Sequence, residues 1–226
     1  KTKEFLKSTI SDISHQLKTP LAALMMYQEI IEAEPDKTDT VKEFSQKIGL
    51  ALKRMEQLIL SMLKITRLDT GNILFDKRAC SVQELIKNAI SELTTRATQE
   101  KKQLIVQGTP NQTVICDMDW TSEAIGNLVK NALDHTEAGG IIRITWESTP
   151  TMLRILVSDN GSGIAPEDIH HIFKRFYRSK YSLNIPGIGL GLPLAKSIIE
   201  GQGGLISVQS VLHEGTTFSV SFLTKS

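Results

Sequence analysis

Asn127-Leu-Val-Lys-Asn131, Asp159-Asn-Gly161-Ser-Gly163 and Gly187-Ile-Gly189-Leu-Gly191, in that order along the chain, decide how this sequence is read. The first places two amides four residues apart, on one face of a helix. The second carries a carboxylate out of the apolar run Arg154-Ile-Leu-Val-Ser158 into a turn where Gly161 and Gly163 permit positive φ and close backbone approach. The third is a glycine loop entering a helix, with Leu192 and then Pro193 in its first turn. Unpaired amides at such a helix start bind phosphate. Amide oxygens are hard, neutral ligands for Mg2+ shared with phosphates and water, and a carboxylate at a strand end can accept from the amine of adenine. Each string alone is also what a polar helix face or a simple turn would show. Their order and spacing together describe the parts of a metal–nucleotide site. The glycine loop is not a P-loop, which needs a lysine after its last glycine, and it lacks the strand context of a dinucleotide fold.

Around this region the pattern predicts strands at 103–107, 113–116, 141–147, 152–158, 205–210 and 216–223, with helices at 119–134 and 191–201. Ser81-Val-Gln-Glu84 reads as a capping box that opens a helix to about Gln99. Strands interleaved with helices over 81–226 predict an α/β sandwich. Upstream the period changes. Residues 3–33 predict a long helix with Leu6, Ile10, Ile13, Leu17, Leu24 and Ile31 on a heptad seam, Pro20 and Tyr27 taking the other seam positions. After the polar turn 32–39, Thr40-Val-Lys-Glu43 reads as a second capping box. It opens a helix over 41–68 whose Val41, Phe44, Ile48, Ala51, Met55, Leu58, Met62 and Ile65 alternate by three and four. Leu52, Ile59, Leu60 and Leu63 widen that face beyond what two helices can cover. The expectation is a helical hairpin over 1–68 completed by a second copy into a four-helix bundle. Residues 69–80 lack periodicity and read as a linker, so the fold class expected is a multidomain α+β chain.

Composition sets few limits: 226 residues, 40% hydrophobic, 26 Lys plus Arg against 25 Asp plus Glu. That balance gives no basic field for nucleic acid. Cys80 and Cys116 have no metal-ligand spacing and read as buried thiols in a reducing compartment. No run reaches the ~18 apolar residues of a membrane helix. The sequence starts at Lys1 rather than Met and reads as an excised fragment.

His15 falls at position f of the first heptads, the outermost, so its imidazole is expected to face water, mostly neutral near pH 7. Thr19 lies one turn on, over the same face. Pro20 removes a backbone donor and should bend the helix. A mid-helix proline costs ~3 kcal/mol or more, which marks this turn out from the other histidines, His135, His170, His171 and His213, read as surface or packing residues.

Ser14-His15-Gln-Leu-Lys-Thr19-Pro20-Leu resembles the H box of bacterial sensor histidine kinases, usually H-E/D-L-R/K-T-P-L. The three downstream strings resemble the N, G1 and G2 boxes of the GHKL ATP-binding fold, and Phe173-Lys-Arg-Phe176-Tyr-Arg178 resembles its F box. The resemblance covers essentially the whole chain. It implies the cytoplasmic core of a bacterial membrane sensor, joined to the membrane through segments absent from this sequence. Residues 1–68 would be a dimerisation and histidine-phosphotransfer hairpin, 69–80 a linker, and 81–226 a catalytic sandwich binding ATP and Mg2+. His15 would take the γ-phosphoryl and pass it to an aspartate on a response regulator receiver domain. Thr19 matches the position that directs water onto the regulator's phospho-aspartate. Asn131 would hold Mg2+, Asn127 would sit near the phosphates, and Asp159, Gly161 and Gly163 near adenine. Gly187, Gly189, Gly191 and Leu192 would belong to a phosphate-covering lid over 164–190, where Arg175, Arg178 and Lys180 can offset phosphate charge.

Two departures stand out. Gln16 replaces the acid beside the histidine, and an amide accepts a hydrogen bond but carries no proton away. Asp134 stands where many relatives have a phosphate-contacting lysine, which leaves Lys130, Arg175 or Arg178 to compensate. GHKL hydrolases have a glutamate base at the place of Asn127, and an amide cannot activate water. That favours a kinase over an ATPase. A dimeric ATP-responsive scaffold that docks without phosphotransfer is the alternative, favoured by Gln16 and Asp134. For Lys180 a solvated loop, and for Phe173 and Phe176 plain core packing rather than a lid anchor, are equal readings; for Thr216 and Thr217 a plain strand outweighs a place in the adenine pocket.

Overall fold

The computed structural model describes residues 21, 22, 24–26, 28, 29, 31, 32, 39–180, 187 and 189–224. His15, Gln16 and Thr19 lie outside them, as do the first heptads. The chain divides into two compact units, residues 1–72 and 73–226.

In the first unit the described residues between 21 and 32 are helical, and α1 runs Asp39–Asp69, starting one residue ahead of the expected cap at Thr40. The helical stretches meet at small side chains. Ser45, buried, donates through Oγ to Glu32 Oε1 (3.2 Å), and Gln28 Nε2 donates to the same oxygen (2.7 Å). A Cβ on Gly49 would lie 2.5 Å from Gln28 Nε2, so glycine is what admits the amide here. Leu21, Leu52 and Ile65 are buried. Other members of the expected seam are not covered by their own hairpin: Val41 is 42%, Ile48 38% and Met55 50% exposed. Leu58 and Met62 are half-buried, and the side chains of Phe44 and Ala51 lie outside the description.

The second unit runs β1 (Arg78–Ser81), α2 (Val82–Ile90), α3 (Leu93–Gln99), β2 (Gln103–Gly108), β3 (Thr113–Cys116), α4 (Met118–His135), β4 (Ile141–Ser148), β5 (Met152–Asp159), α5 (Pro166–Ile169), α6 (Gly191–Gly201), β6 (Leu205–Val211) and β7 (Gly215–Leu223). A five-stranded sheet has the order β2-β4-β5-β7-β6. Only the β2–β4 pair is parallel; the other pairs are antiparallel. Alternation sends Ile142, Ile144, Leu153, Ile155, Val157, Phe218, Val220 and Phe222 to one face. That face meets α4, whose Ala124, Ile125, Leu128, Val129, Ala132 and Leu133 are fully buried at helical spacing. α2 and α6 flank α4. The result is a two-layer sandwich, as the interleaved pattern predicts.

Two expectations are corrected. Residues 78–80 are not linker: Arg78–Ser81 pairs antiparallel with β3, in a register that sets Arg78 against Cys116 and Cys80 against Val114. The helix opened by Ser81, whose Oγ accepts from Glu84 N (3.4 Å), does not run unbroken to Gln99. At Ser91 the backbone N–H and the hydroxyl both turn to Asn88 O (3.3 and 3.0 Å), a local bond that competes with the helical ladder. Both cysteines are free and buried as expected, and burial pushes the Cys116 thiol up to about 12. Among the described residues no helix is long and apolar enough to cross a membrane.

Candidate functional site

The site forms where the C-terminal half of α4, the end of β5 and the start of α6 come together. Asp117 begins α4 by accepting from Trp120 N (3.2 Å) at its side chain, and the helix then carries Asn127 and Asn131 on one face. Asn127 Nδ2 donates to Glu123 O (3.0 Å), which fixes the amide. Its Oδ1 faces Gly191, where an added Cβ would lie 3.2 Å away. The structure thus brings the first amide and the last glycine of the sequence strings side by side. Asn131 is half-buried and makes no side-chain hydrogen bond among the described residues.

Asp159 ends β5 opposite Thr216 on β7. Its Oδ1 accepts from Gly161 N (2.9 Å), while Oδ2 is buried with no hydrogen-bond partner. Burial raises the carboxyl above its usual range, and the Gly161 and Thr216 backbone N–H groups offset part of that rise. A buried carboxylate oxygen left without a donor marks a place for one from outside. The surrounding glycines are required by close approach. A Cβ on Gly161 would lie 2.2 Å from His135 O, and one on Gly163 (φ +65) 2.0 Å from Val211 O.

The α6 N-terminus supplies the other half. Its cap residue is Leu190, which offers no side-chain hydrogen bond, and among the described residues no acceptor takes the first-turn amides of Gly191 and Leu192, as an anion-binding helix start requires. Gly189 (φ +73) accepts from Phe176 N through its carbonyl (2.9 Å). At Gly187 nothing lies within 4 Å of where a Cβ would stand.

The Asp134 departure finds its explanation here. Its carboxylate is taken by Arg96 Nη2 at 2.6 Å, and Arg96 Nε also holds Glu100 Oε1 at 2.6 Å. Lys102 closes the cluster on Glu100 and donates to Leu133 O (2.7 Å). Asp134 is therefore neutralised on the α3 side of the helix. Next to it His135 is held below its usual range, first by burial and further by the Arg178 charge, against an opposing pull from Asp134. Arg178 thus stands within electrostatic reach of the α4 end of the site. Arg175 is exposed.

Sequence reasoning missed Gly215 and left Thr216 open. Gly215 (φ +123) could not carry a Cβ, which would sit 2.0 Å from Asp159 O. Thr216 is buried and its hydroxyl shares a 3.0 Å bond with Ser210 Oγ, on the Asp159 side of the sheet. Thr217 is on the other face, donating to Ser158 Oγ (2.9 Å), so alternation separates the two threonines. A glycine directly before a threonine strand was the available signal. Among the described residues no group of three or more His, Cys, Asp or Glu could hold a metal.

Comparison with known proteins agrees with this geometry. Residues 6–71 match the family described as His Kinase A (phospho-acceptor) domain. Residues 116–226 match the family described as Histidine kinase-, DNA gyrase B-, and HSP90-like ATPase. The chain is 28% identical over 214 residues to the sensor-like histidine kinase SenX3 of Mycobacterium tuberculosis, covering 94% of this chain and 52% of that protein. It is 30% identical over 217 residues to the sensor protein SrrB of Staphylococcus aureus, covering 95% of this chain and 37% of that one. The chain thus spans about half, or less, of these relatives. Among solved structures, full-length ShkA in complex with AMPPNP superposes with a TM-score of 0.83 at 21% identity, over 97% of this chain and 46% of that one. The mycobacterial sensor histidine kinase MprB does so at 0.58 and 26% identity, over 65% and 97%. The histidine kinase ThkA in complex with the response regulator protein TrrA gives 0.69 at 21%, over 98% and 63%. With a phospho-acceptor hairpin followed by this sandwich, the chain belongs to the bacterial sensor histidine kinases.

Proposed function

We propose that this chain is a kinase core in which residues 73–226 bind Mg–ATP and His15 receives the γ-phosphoryl group. The observation that carries the reading is the buried, unpartnered Oδ2 of Asp159, set in a glycine-lined corner with the uncapped start of α6. An adenine amine would satisfy that oxygen, and the free amides of the α6 first turn would receive phosphate. Asn127, pinned to Glu123 O, would orient the phosphate side without offering a base to water. Nucleotide then persists until the imidazole arrives. A ring nitrogen of His15 bonds the γ-phosphorus as the bond to the β–γ bridging oxygen breaks, ADP leaves, and the ring proton goes to solvent. Gln16 would orient the ring and take no proton. Mg2+, when bound, would neutralise phosphate charge. Asn131 is its only protein ligand in this reading, and phosphates and water complete the shell. Arg178 would support the charge from the α4 side.

From phosphohistidine the group would pass to an aspartate of a response regulator receiver domain, and Thr19 would serve the reverse hydrolysis of that phospho-aspartate. The chain would act as a homodimer through residues 1–68, since its α1 stripe is left exposed by its own hairpin. Against the scaffold alternative, the Asp134 charge is paired with Arg96 and so does not repel phosphate, although the lysine of many relatives is still missing there.

Incubation with γ-labelled ATP and Mg2+ tests the proposal. The label should be acid-labile and base-stable, vanish in His15→Gln, and move to an added receiver domain. Nucleotide binding with no protein label would establish the scaffold. Steady phosphate release without label would establish an ATPase.

A further inference from the structure

Just ahead of the F-box segment lies a buried acid that the reading above does not use. Asp168 lies in the short helix α5 and is only 6% exposed. Tyr177 donates its hydroxyl to Asp168 Oδ1 at 2.5 Å. The Tyr177 ring also packs on His171, with centroids 5.5 Å apart. Hydrogen bonds from the Ser179 and Tyr177 hydroxyls hold the Asp168 carboxyl below its usual range.

What Tyr177 fixes is the backbone beside the glycine strip. Phe176, in the left-handed region (φ 61), donates its N–H to Gly189 O at 2.9 Å. The position of a Cβ on Gly189 lies 2.7 Å from Tyr177 O, so the two chain segments are in backbone contact. Two residues on, Gly191 rests against Asn127 Oδ1. A continuous line of contacts therefore runs from a carboxylate outside the site, through a phenol, to the amide inside it. We propose that Asp168 and Tyr177 are positioning residues for nucleotide binding, holding Gly189–Gly191 against Asn127 so that the α6 amides are set before phosphate arrives.

The proposal rests on the nucleotide reading of that site. Pre-set amides lower the cost of ordering the loop on binding, so the effect belongs to affinity rather than to the saturated rate. The test uses the full chain, Mg2+ and a fluorescent ATP analogue. Tyr177→Phe keeps the ring on His171 and removes the hydroxyl; Asp168→Ala removes the acceptor. Each should weaken binding about tenfold, the size of one hydrogen bond to a charged group. Asp168→Asn keeps an acceptor oxygen and should lose only about two- to threefold. The double variant Tyr177→Phe with Asp168→Ala should be no weaker than Asp168→Ala alone, because that variant already removes the Tyr177 bond. Labelling of His15 at saturating ATP should stay within about twofold of the parent, since no group at the reacting atoms is altered. Wild-type affinity in Tyr177→Phe, additive losses in the double variant, or a fall in the saturated rate without a fall in affinity would each overturn the proposal. Where Asp168→Ala does not fold, Tyr177→Phe and Asp168→Asn decide it. Asp159→Asn is measured alongside. If that variant binds normally the nucleotide site itself is misassigned; if it loses binding while Tyr177→Phe does not, only the positioning role fails.

Discussion

At the scale of single residues, Asp159 carries two opposed demands. Its Oδ2 is buried without a partner, which costs stability, and it is the atom the proposed ligand needs. Burial raises its folded-state value above that of the unfolded chain. The folded state therefore holds the extra proton in the window between those two values. Stability is fullest below the unfolded value, about 3.9 for an aspartate, and is lost as pH rises through the raised one. Near neutral pH the ionised group is a burden on the empty protein. Asp159→Asn removes the charge, so its Tm at pH 7 is expected to equal or exceed that of the parent, while adenine-nucleotide affinity falls about ten- to a hundredfold. Thermal melts and nucleotide titration on the same preparation check this. A lower Tm with unchanged affinity would make Asp159 a structural residue and remove it from the site. The carboxylate was legible because an apolar strand, an acid and two glycines occur in one short string. Gly215 was not, because one glycine before a strand is commonplace and its need for φ +123 arises only when β7 pairs with β5 at Asp159. Asp168 with Tyr177, and Asp134 with Arg96, were invisible because each partnership depends on where separate elements come to rest.

At the scale of elements, α4 and α6 hold the site between them and are tied at the ends remote from it. Gln202, buried just past α6, accepts from Asp117 N through Oε1 (2.7 Å) and donates through Nε2 to Thr121 Oγ1 (3.0 Å). Its carbonyl accepts from Lys77 Nζ (2.6 Å). One side chain thus satisfies a first-turn amide and a buried hydroxyl of α4. Gln202→Leu, of similar volume, leaves the Asp117 N–H without its partner and takes one from the Thr121 hydroxyl, which also bonds the Cys116 thiol, and is expected to cost about 1–3 kcal/mol in urea unfolding. Nucleotide affinity at low temperature should hold, since Asn127 and Asn131 lie two to four turns away along α4. A neutral urea midpoint would show that water replaces the amide. The regular elements were legible where periodicity is sustained, as in α1, α4 and β4 to β7. β1 was not: four residues with no alternation become a strand only because β3 offers a register. The break between α2 and α3 depends on Ser91 choosing Asn88 O, a competition that hydrophobic spacing does not record.

At the scale of the whole molecule, the first unit poses a burial problem that the chain does not solve alone. Ser45 and Gly49 let the helical stretches approach closely, while Val41, Ile48 and Met55 stay exposed along one edge of α1. These three lie seven residues apart, so they form a continuous stripe rather than scattered exposure. A second copy offers the same stripe and would cover it symmetrically. Acids at Ile48 and Met55 should break that match while leaving the buried Leu21, Leu52 and Ile65 undisturbed. The double variant Ile48→Glu with Met55→Glu is therefore expected to elute as a monomer by size-exclusion chromatography with light scattering, where the parent elutes as a dimer. Nucleotide affinity of the sandwich should remain within about twofold, since that unit has its own core. A variant that stays dimeric would place the contact on another face of the bundle. One that becomes monomeric and also loses nucleotide binding would show that the sandwich depends on the assembly, against the division into two compact units.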